Sequence, residues 1–205
     1  MVSLRMKFFT GTGMAKNNPE PRTNEDFVYI DGPDLGRLKK PRSRKIAGYV
    51  LEIEQRIDGY KMRKSHFEPV FAKAIGVLKK QKYLAPGMKG GLIELVLISD
   101  EEIRIINRSY RQKDTPTDVI SLSYFGKELV FPRASLVGEI FISLDTARRQ
   151  AAEHKKTLVQ ELQFLFVHGV LHIFGYDHEK TAERKIMFDL QDKILGTKMW
   201  RKIID

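Results

Sequence analysis

Apolar and polar residues alternate over YVLEIEQ, Tyr49 to Gln55, and that period of two predicts the chain's first strand. Ser65 and Glu68 then form a capping box ahead of FEPVFAKAIGVLKKQKY, which predicts a helix with Pro69 tolerated in its first turn. GLIELVLIS reads as a second strand, and Ser99 with Glu102 caps the helix DEEIRIINRSYRQ. DVISLSYF and LVGEIFIS read as two further strands. A helix covers roughly Leu144 to Lys155. The next starts at Thr157, where Gln160 completes another capping box, and runs to about Phe174. The last, Thr181 to Leu195, stops at Gly196. Strands interleaved with helices, and no internal repeat, predict one α/β (α+β) domain: a mixed sheet of about four strands and about five helices.

Residues 1–46 break this regularity. They hold Pro19, Pro21, Pro33 and Pro41, scattered glycines and the basic cluster GRLKKPRSRK, with no sustained period. A flexible basic extension is predicted there, with the folded domain over 47–205. The opening MVSLRMKFFTGTG lacks the apolar run of a secretory signal, while the lack of acidic residues before Glu20 leaves an organellar presequence open.

Composition narrows the chemistry. With 42% hydrophobic and 30% charged residues, the 205-residue chain has the balance of a soluble globular protein with a proper core. It has no cysteine, which excludes disulfides and thiolate zinc sites, so any metal must take nitrogen or oxygen ligands. The 36 Lys+Arg exceed the 26 Asp+Glu by a net charge of +10. Such an excess draws polyanions, nucleic acid above all, although a merely solvated basic surface has the same signature. The charge-free stretch Leu162 to Tyr176 is too short to span a bilayer and contains two histidines. A cytoplasmic protein without a membrane partner is expected.

The histidines carry the sharpest signal. VHGVLHIFGYDHE contains His168, His172 and His178, three of the five in the chain. Positions i and i+4 of a helix share a face, one turn apart, so His168 and His172 are placed to share one ion. A continued helix would point His178 elsewhere; Gly175 can end it with positive φ and turn the chain back. Three imidazoles with one open tetrahedral position describe a catalytic zinc site. Isolated, each histidine is as readily a hydrogen-bonded core residue; together, unpartnered imidazoles in a dry setting would cost about 1–3 kcal/mol each. The offsets match the zincin helix H-E-x-x-H-x-x-G-x-x-H, yet Gly169 stands where zincins carry their general base. That substitution argues against a metallopeptidase.

A second stretch, NRSYRQKDTPTDVISLSY, clusters Arg108, Arg111 and Lys113 where a helix gives way to a loop. An arginine fork suits phosphate, although cations at a helix end also simply complement its dipole. Taken together, HGVLHIFGYDH, NRSYRQKDTPTDVISLS and the later GEIFIS resemble the YbeY family of bacterial rRNA maturation factors. The family pattern H-G-x-L-H-L-x-G-Y-D-H is matched at every fixed position except Ile173. SLSYF stands where the family has S-F-P-F, and Glu139 replaces the aspartate of G-D-I. The resemblance, over about Tyr49 to Leu195, implies a metal-dependent, single-strand-specific endoribonuclease. It would act on rRNA precursors, at the 3′ end of small-subunit rRNA, and in ribosome quality control, meeting the small subunit and its assembly factors.

The resemblance also implies one zinc ion per chain on His168, His172 and His178, with Arg111 and His168 as the catalytic pair. Arg108 and Lys113 are candidate RNA contacts. Asp118 and Asp177 are candidates to accept hydrogen bonds from the imidazoles, Asp118 being equally suited to a turn or a strand start. The contrasting possibility is a ribosome-assembly factor whose metal serves only the fold.

Overall fold

The computed structural model describes residues 5–9, 27–31, 45–58, 61–80, 90–124 and 136–196. Contacts divide the chain into two compact units, Met1–Arg42 and Ser43–Asp205. In the first, β1 (Arg5–Phe9) pairs antiparallel with β2 (Phe27–Asp31), Arg5 opposite Asp31. Neither strand is foreseen from a sequence that shows no sustained period there. The basic cluster, up to Arg44, lies outside the described residues.

The second unit is built on a four-stranded mixed sheet of order β3-β4-β6-β5. Strand β3 (Tyr49–Gln55) runs parallel to β4 (Gly91–Ile98), and β4 parallel to β6 (Leu136–Ser143). Strand β5 (Val119–Ser123) closes the edge antiparallel to β6. The helices are α1 (Glu68–Lys80), α2 (Asp100–Arg111), α3 (Leu144–Glu153), α4 (Leu158–Ile173) and α5 (Thr181–Leu195).

Alternation along the strands divides the core into two layers. Ile93, Leu95, Leu97, Ile140 and Ile142 face one side and pack with Phe71, Phe166 and Val170 from the helices. Val96, Ile98, Ile120 and Phe141 face the other, with Ile103 of α2. Helix α4 is buried at nine of its sixteen positions, so it is the central helix rather than a surface one. It touches β5, β6, α1, α3 and α5, and only one stripe is left to face a cleft.

Local chemistry sets the helix starts. The Ser99–Glu102 box forms as expected, with Ser99 Oγ accepting from the Glu102 amide at 3.2 Å and Glu102 Oε2 from the Ser99 amide at 3.1 Å. Thr157 and Gln160 cap α4 in the same way, at 3.2 and 2.9 Å. The predicted Ser65–Glu68 box is corrected: Ser65 lies inside a 3₁₀ turn, Lys64–His66, and α1 begins only at Glu68. That turn, which runs through Phe67 into α1, leaves Ser65 no place as an N-cap. Helix α3 stops at Glu153 rather than Lys155, because Lys155 takes the left-handed φ of 54°.

Candidate metal centre

The stripe that α4 leaves open carries Glu161, Phe164, Leu165, His168 and His172, the floor of a cleft of about 530 Å³. Phe174 caps the helix, and the chain then reverses through Gly175 at φ 86°. The Gly175 amide donates to His172 O at 3.0 Å and the Tyr176 amide to Leu171 O at 3.1 Å. This pair of bonds is a Schellman turn, and it sends the following loop back along the helix face. His178 is held there by two bonds: its amide donates to Asp177 Oδ1 at 2.7 Å, and Arg184 Nε donates to its carbonyl at 3.0 Å.

The three rings consequently converge. Candidate ligand atoms of His168, His172 and His178 all lie within 4.8 Å of one another, the single such group found among the described residues. His168 Nε2 and His172 Nε2 stand 3.1 Å apart. Ligands about 2.0–2.1 Å from a tetrahedral ion are separated by roughly 3.3 Å, so this spacing suits one shared metal. The tautomer agrees. Gln191, 1% exposed, donates through Nε2 to Phe164 O at 3.3 Å, which turns its Oε1 to His168 Nδ1, also at 3.3 Å. Nδ1 must then carry the proton, and Nε2 points a lone pair at the facing imidazole.

Electrostatics favour the neutral, ligating form. Burial pushes the His168 pKa down to about 4, helped by His172 and His178 and opposed by Gln191 and Asp118. His172 is also lowered, chiefly by burial and then by His178 and Arg111, against Asp177 and a bond to the Tyr176 backbone. Arg111, the last residue of α2, lines the same cleft.

The profile of the endoribonuclease YbeY family matches residues 52–198, well over half of the chain. The chain belongs to the endoribonuclease YbeY family. A protein of Acholeplasma laidlawii named endoribonuclease YbeY is 38% identical over 67% of this chain and 90% of its own length. Its namesake in Oceanobacillus iheyensis is 47% identical over 48% of this chain and 68% of its own. The Malacoplasma penetrans namesake is 41% identical over 60% and 83%. The matched span covers both the histidine motif and the Arg111 stretch and leaves β1 and β2 outside it.

Other predicted residues fall differently. Asp118 lines the cleft, but its carboxylate accepts from the Val119 amide at 2.7 Å and from Gln150 Nε2 at 3.1 Å. The acceptor facing His168 Nδ1 is Gln191. Asp177 serves the His178 backbone, and that bond holds its carboxyl below the usual range. Arg108 and Lys113 are exposed and do not line the cleft. A Cβ added at Gly169 would meet Ile140 and Ser121 of the sheet, and Ser121 also lines the cleft.

Sequence reasoning missed Gln191, Gln150, His154 and Glu161. Glu161 is buried beside Lys156 at 3.8 Å, with 1% exposure for each side chain, and lies 3.4 Å from His154 Nδ1. None of these sits in a motif; only the packing of α3 and α5 against α4 brings them to the site.

Proposed function

We propose that this chain is a zinc-dependent, single-strand-specific endoribonuclease of rRNA processing, acting at the 3′ end of small-subunit rRNA and in ribosome quality control. The observation that carries the reading is the convergence of three imidazoles, one with its proton fixed at Nδ1 by Gln191, in a cleft shared with Arg111. Imidazole-only ligation suits zinc among the common metals. One ion per chain would be held by His168, His172 and His178. Bound there, zinc supplies Lewis acidity to a phosphoryl oxygen and lowers the pKa of water toward 7.

The chain's own groups supply the rest. The exposed Arg111 fork, at a helix end, donates two parallel hydrogen bonds to phosphate oxygens and stabilises charge that grows during cleavage. Arg108 and Lys113, exposed beside it, extend a basic track for the RNA backbone, within a chain of net charge +10. The working partners are single-stranded rRNA precursor and the small subunit with its assembly factors, in the cytoplasm. Among the described residues, no helix is long and apolar enough to cross a membrane.

The test is cleavage of single-stranded RNA by pure protein, with metal analysis of the same sample. Cleavage should stop with EDTA and in His172→Ala, and return to the wild type with added zinc. Activity that survives both treatments would sink the assignment. Arg111→Ala should keep fold and metal content while cleavage drops by about 10²-fold or more. Unchanged rRNA processing in cells carrying that variant would instead favour a binding factor with a structural metal.

A further inference from the structure

Helix α5 turns a stripe of its own toward the imidazoles. Arg184, Phe188 and Gln191 follow one another at i, i+4 and i+7, so they share a face of α5. Arg184 Nε donates to the His178 carbonyl, and Gln191 Oε1 faces His168 Nδ1, so each end of the stripe holds one of the converging histidines. Phe188 lies between them and lines the cleft. Its neighbours Met187, Leu190 and Ile194 join the core, but Phe188 stays outside that cluster and is only half-buried. Its ring instead stacks on His178, with centroids 6.2 Å apart and planes at 19°, and on His168, at 6.4 Å and 28°. Both pairs fall within the range of offset aromatic stacks.

The three histidines differ in how their rings are held. His168 and His172 stand on a helix, and Gln191 fixes His168 further. His178 comes from a loop. Its amide and carbonyl are anchored, but among the described residues no hydrogen bond is found to its ring. Ring packing therefore sets its plane, with Phe188 nearly parallel to it and His172 meeting it at 67°. A face stack suits this task. It fixes the plane of an imidazole while leaving both nitrogens, whose donor and lone-pair directions lie in that plane, open at the ring edge. His168 and His178 are themselves only 35° from parallel, with centroids 5.2 Å apart, so one phenyl ring can steady both.

We propose that Phe188 is the positioning residue for the loop-borne histidine: its ring, stacked on His178 and His168, holds the His178 imidazole in the plane that brings a ring nitrogen to the other two. Phe188 acts through the imidazoles and not on the reacting atoms. The inference rests on reading the three histidines as a metal group, and not on what the protein cleaves.

The test is metal binding by the full chain, stripped by chelation and titrated with Co(II), whose visible bands report both affinity and ligand geometry. Phe188→Leu keeps an apolar side chain but removes the ring, and should weaken Co(II) binding about tenfold and alter the bands. Phe188→Tyr keeps the ring and should bind as the wild type does. Ile186→Ala, at an exposed position of the same helix, should change nothing. In a His178→Ala background, Phe188→Leu should cost less than in the wild type, because the ring it orients is gone. Metal-free Phe188→Leu should melt close to the wild type, and Phe188→Met repeats the titration if the leucine variant does not fold. Wild-type affinity and bands in the ringless variants overturn the proposal. So does an equal loss in Phe188→Tyr, or an undiminished loss without His178. Each of these outcomes leaves the endoribonuclease reading standing, whereas a wild-type chain that binds no Co(II) overturns the metal group and this inference with it.

Discussion

A methyl group added at Gly169 would stand 2.8 Å from Ile140 Cγ2 and 2.9 Å from Ser121 Oγ. Both neighbours belong to the sheet, so the glycine is there for close packing of α4 on β5 and β6. We expect Gly169→Ala to cost about 1–3 kcal/mol in denaturant unfolding, as overpacking does. Gly169→Glu should disturb the packing of α4 rather than create a peptidase, because even its Cβ would meet Ile140 and Ser121 at under 3 Å. The glycine thus bears on zincin chemistry twice, by residue type and by want of space, and only the first was legible in the sequence. Two departures from the family pattern prove to be partners. Tyr124, in the SLSYF stretch, donates through its hydroxyl to Glu139 Oε2 at 2.5 Å, and Glu139 is buried. Burial and then the Glu139 charge push the Tyr124 pKa up, so the hydroxyl remains a donor. Tyr124→Phe should cost about 1–3 kcal/mol, and a double-mutant cycle with Glu139→Gln should show that the two costs do not add.

Helices α2 and α3 start side by side and share a carboxylate at their junction. Asp100 accepts from the Ser143 hydroxyl, from Thr146 Oγ1 at 2.7 Å, and pairs with Arg149 Nη1 at 2.9 Å. Asp145 returns the favour by accepting from the Asp100 amide at 3.1 Å. Burial alone would raise the Asp100 pKa, but the bonds from Ser143, Thr146 and Arg149 outweigh it and hold it below the usual range. A carboxylate depressed in the folded state stabilises fully above its unfolded pKa of about 3.9 and stops doing so as pH falls through the folded value. Asp100→Asn should therefore lose about 1–3 kcal/mol near pH 7 and show a shallower further loss toward pH 2, measured by urea midpoints across that range. Elements with their own caps or strict alternation, such as β3, α2 and α4, were legible from sequence to within about two residues. The start of α1 was not, since Ser65 offered a plausible cap that the 3₁₀ turn displaced. The β1–β2 pair left no period to read.

For the whole molecule, the net charge of +10 implies RNA binding that weakens steeply with salt. We expect the logarithm of affinity for single-stranded RNA to fall linearly with log salt, at about 0.7 per phosphate contacted. A flat dependence between 50 and 200 mM salt would argue against a backbone-tracking surface. The convergence of the three histidines was legible because all three lie within one short motif, whereas Gln191 and Gln150 reach the site from separate helices and need the tertiary fold to be seen. That same compactness has a thermodynamic consequence. The three converging histidines span only residues 168–178, and α4 is packed on nearly every other side by core residues outside that group. Metal removal should therefore shift the thermal midpoint only slightly, with hydrogen exchange rising mainly over 174–180. Unlike a zinc finger, which unfolds when stripped, this protein would survive metal scarcity as a folded and refillable receptor. Its output would then follow the free metal concentration rather than its own turnover.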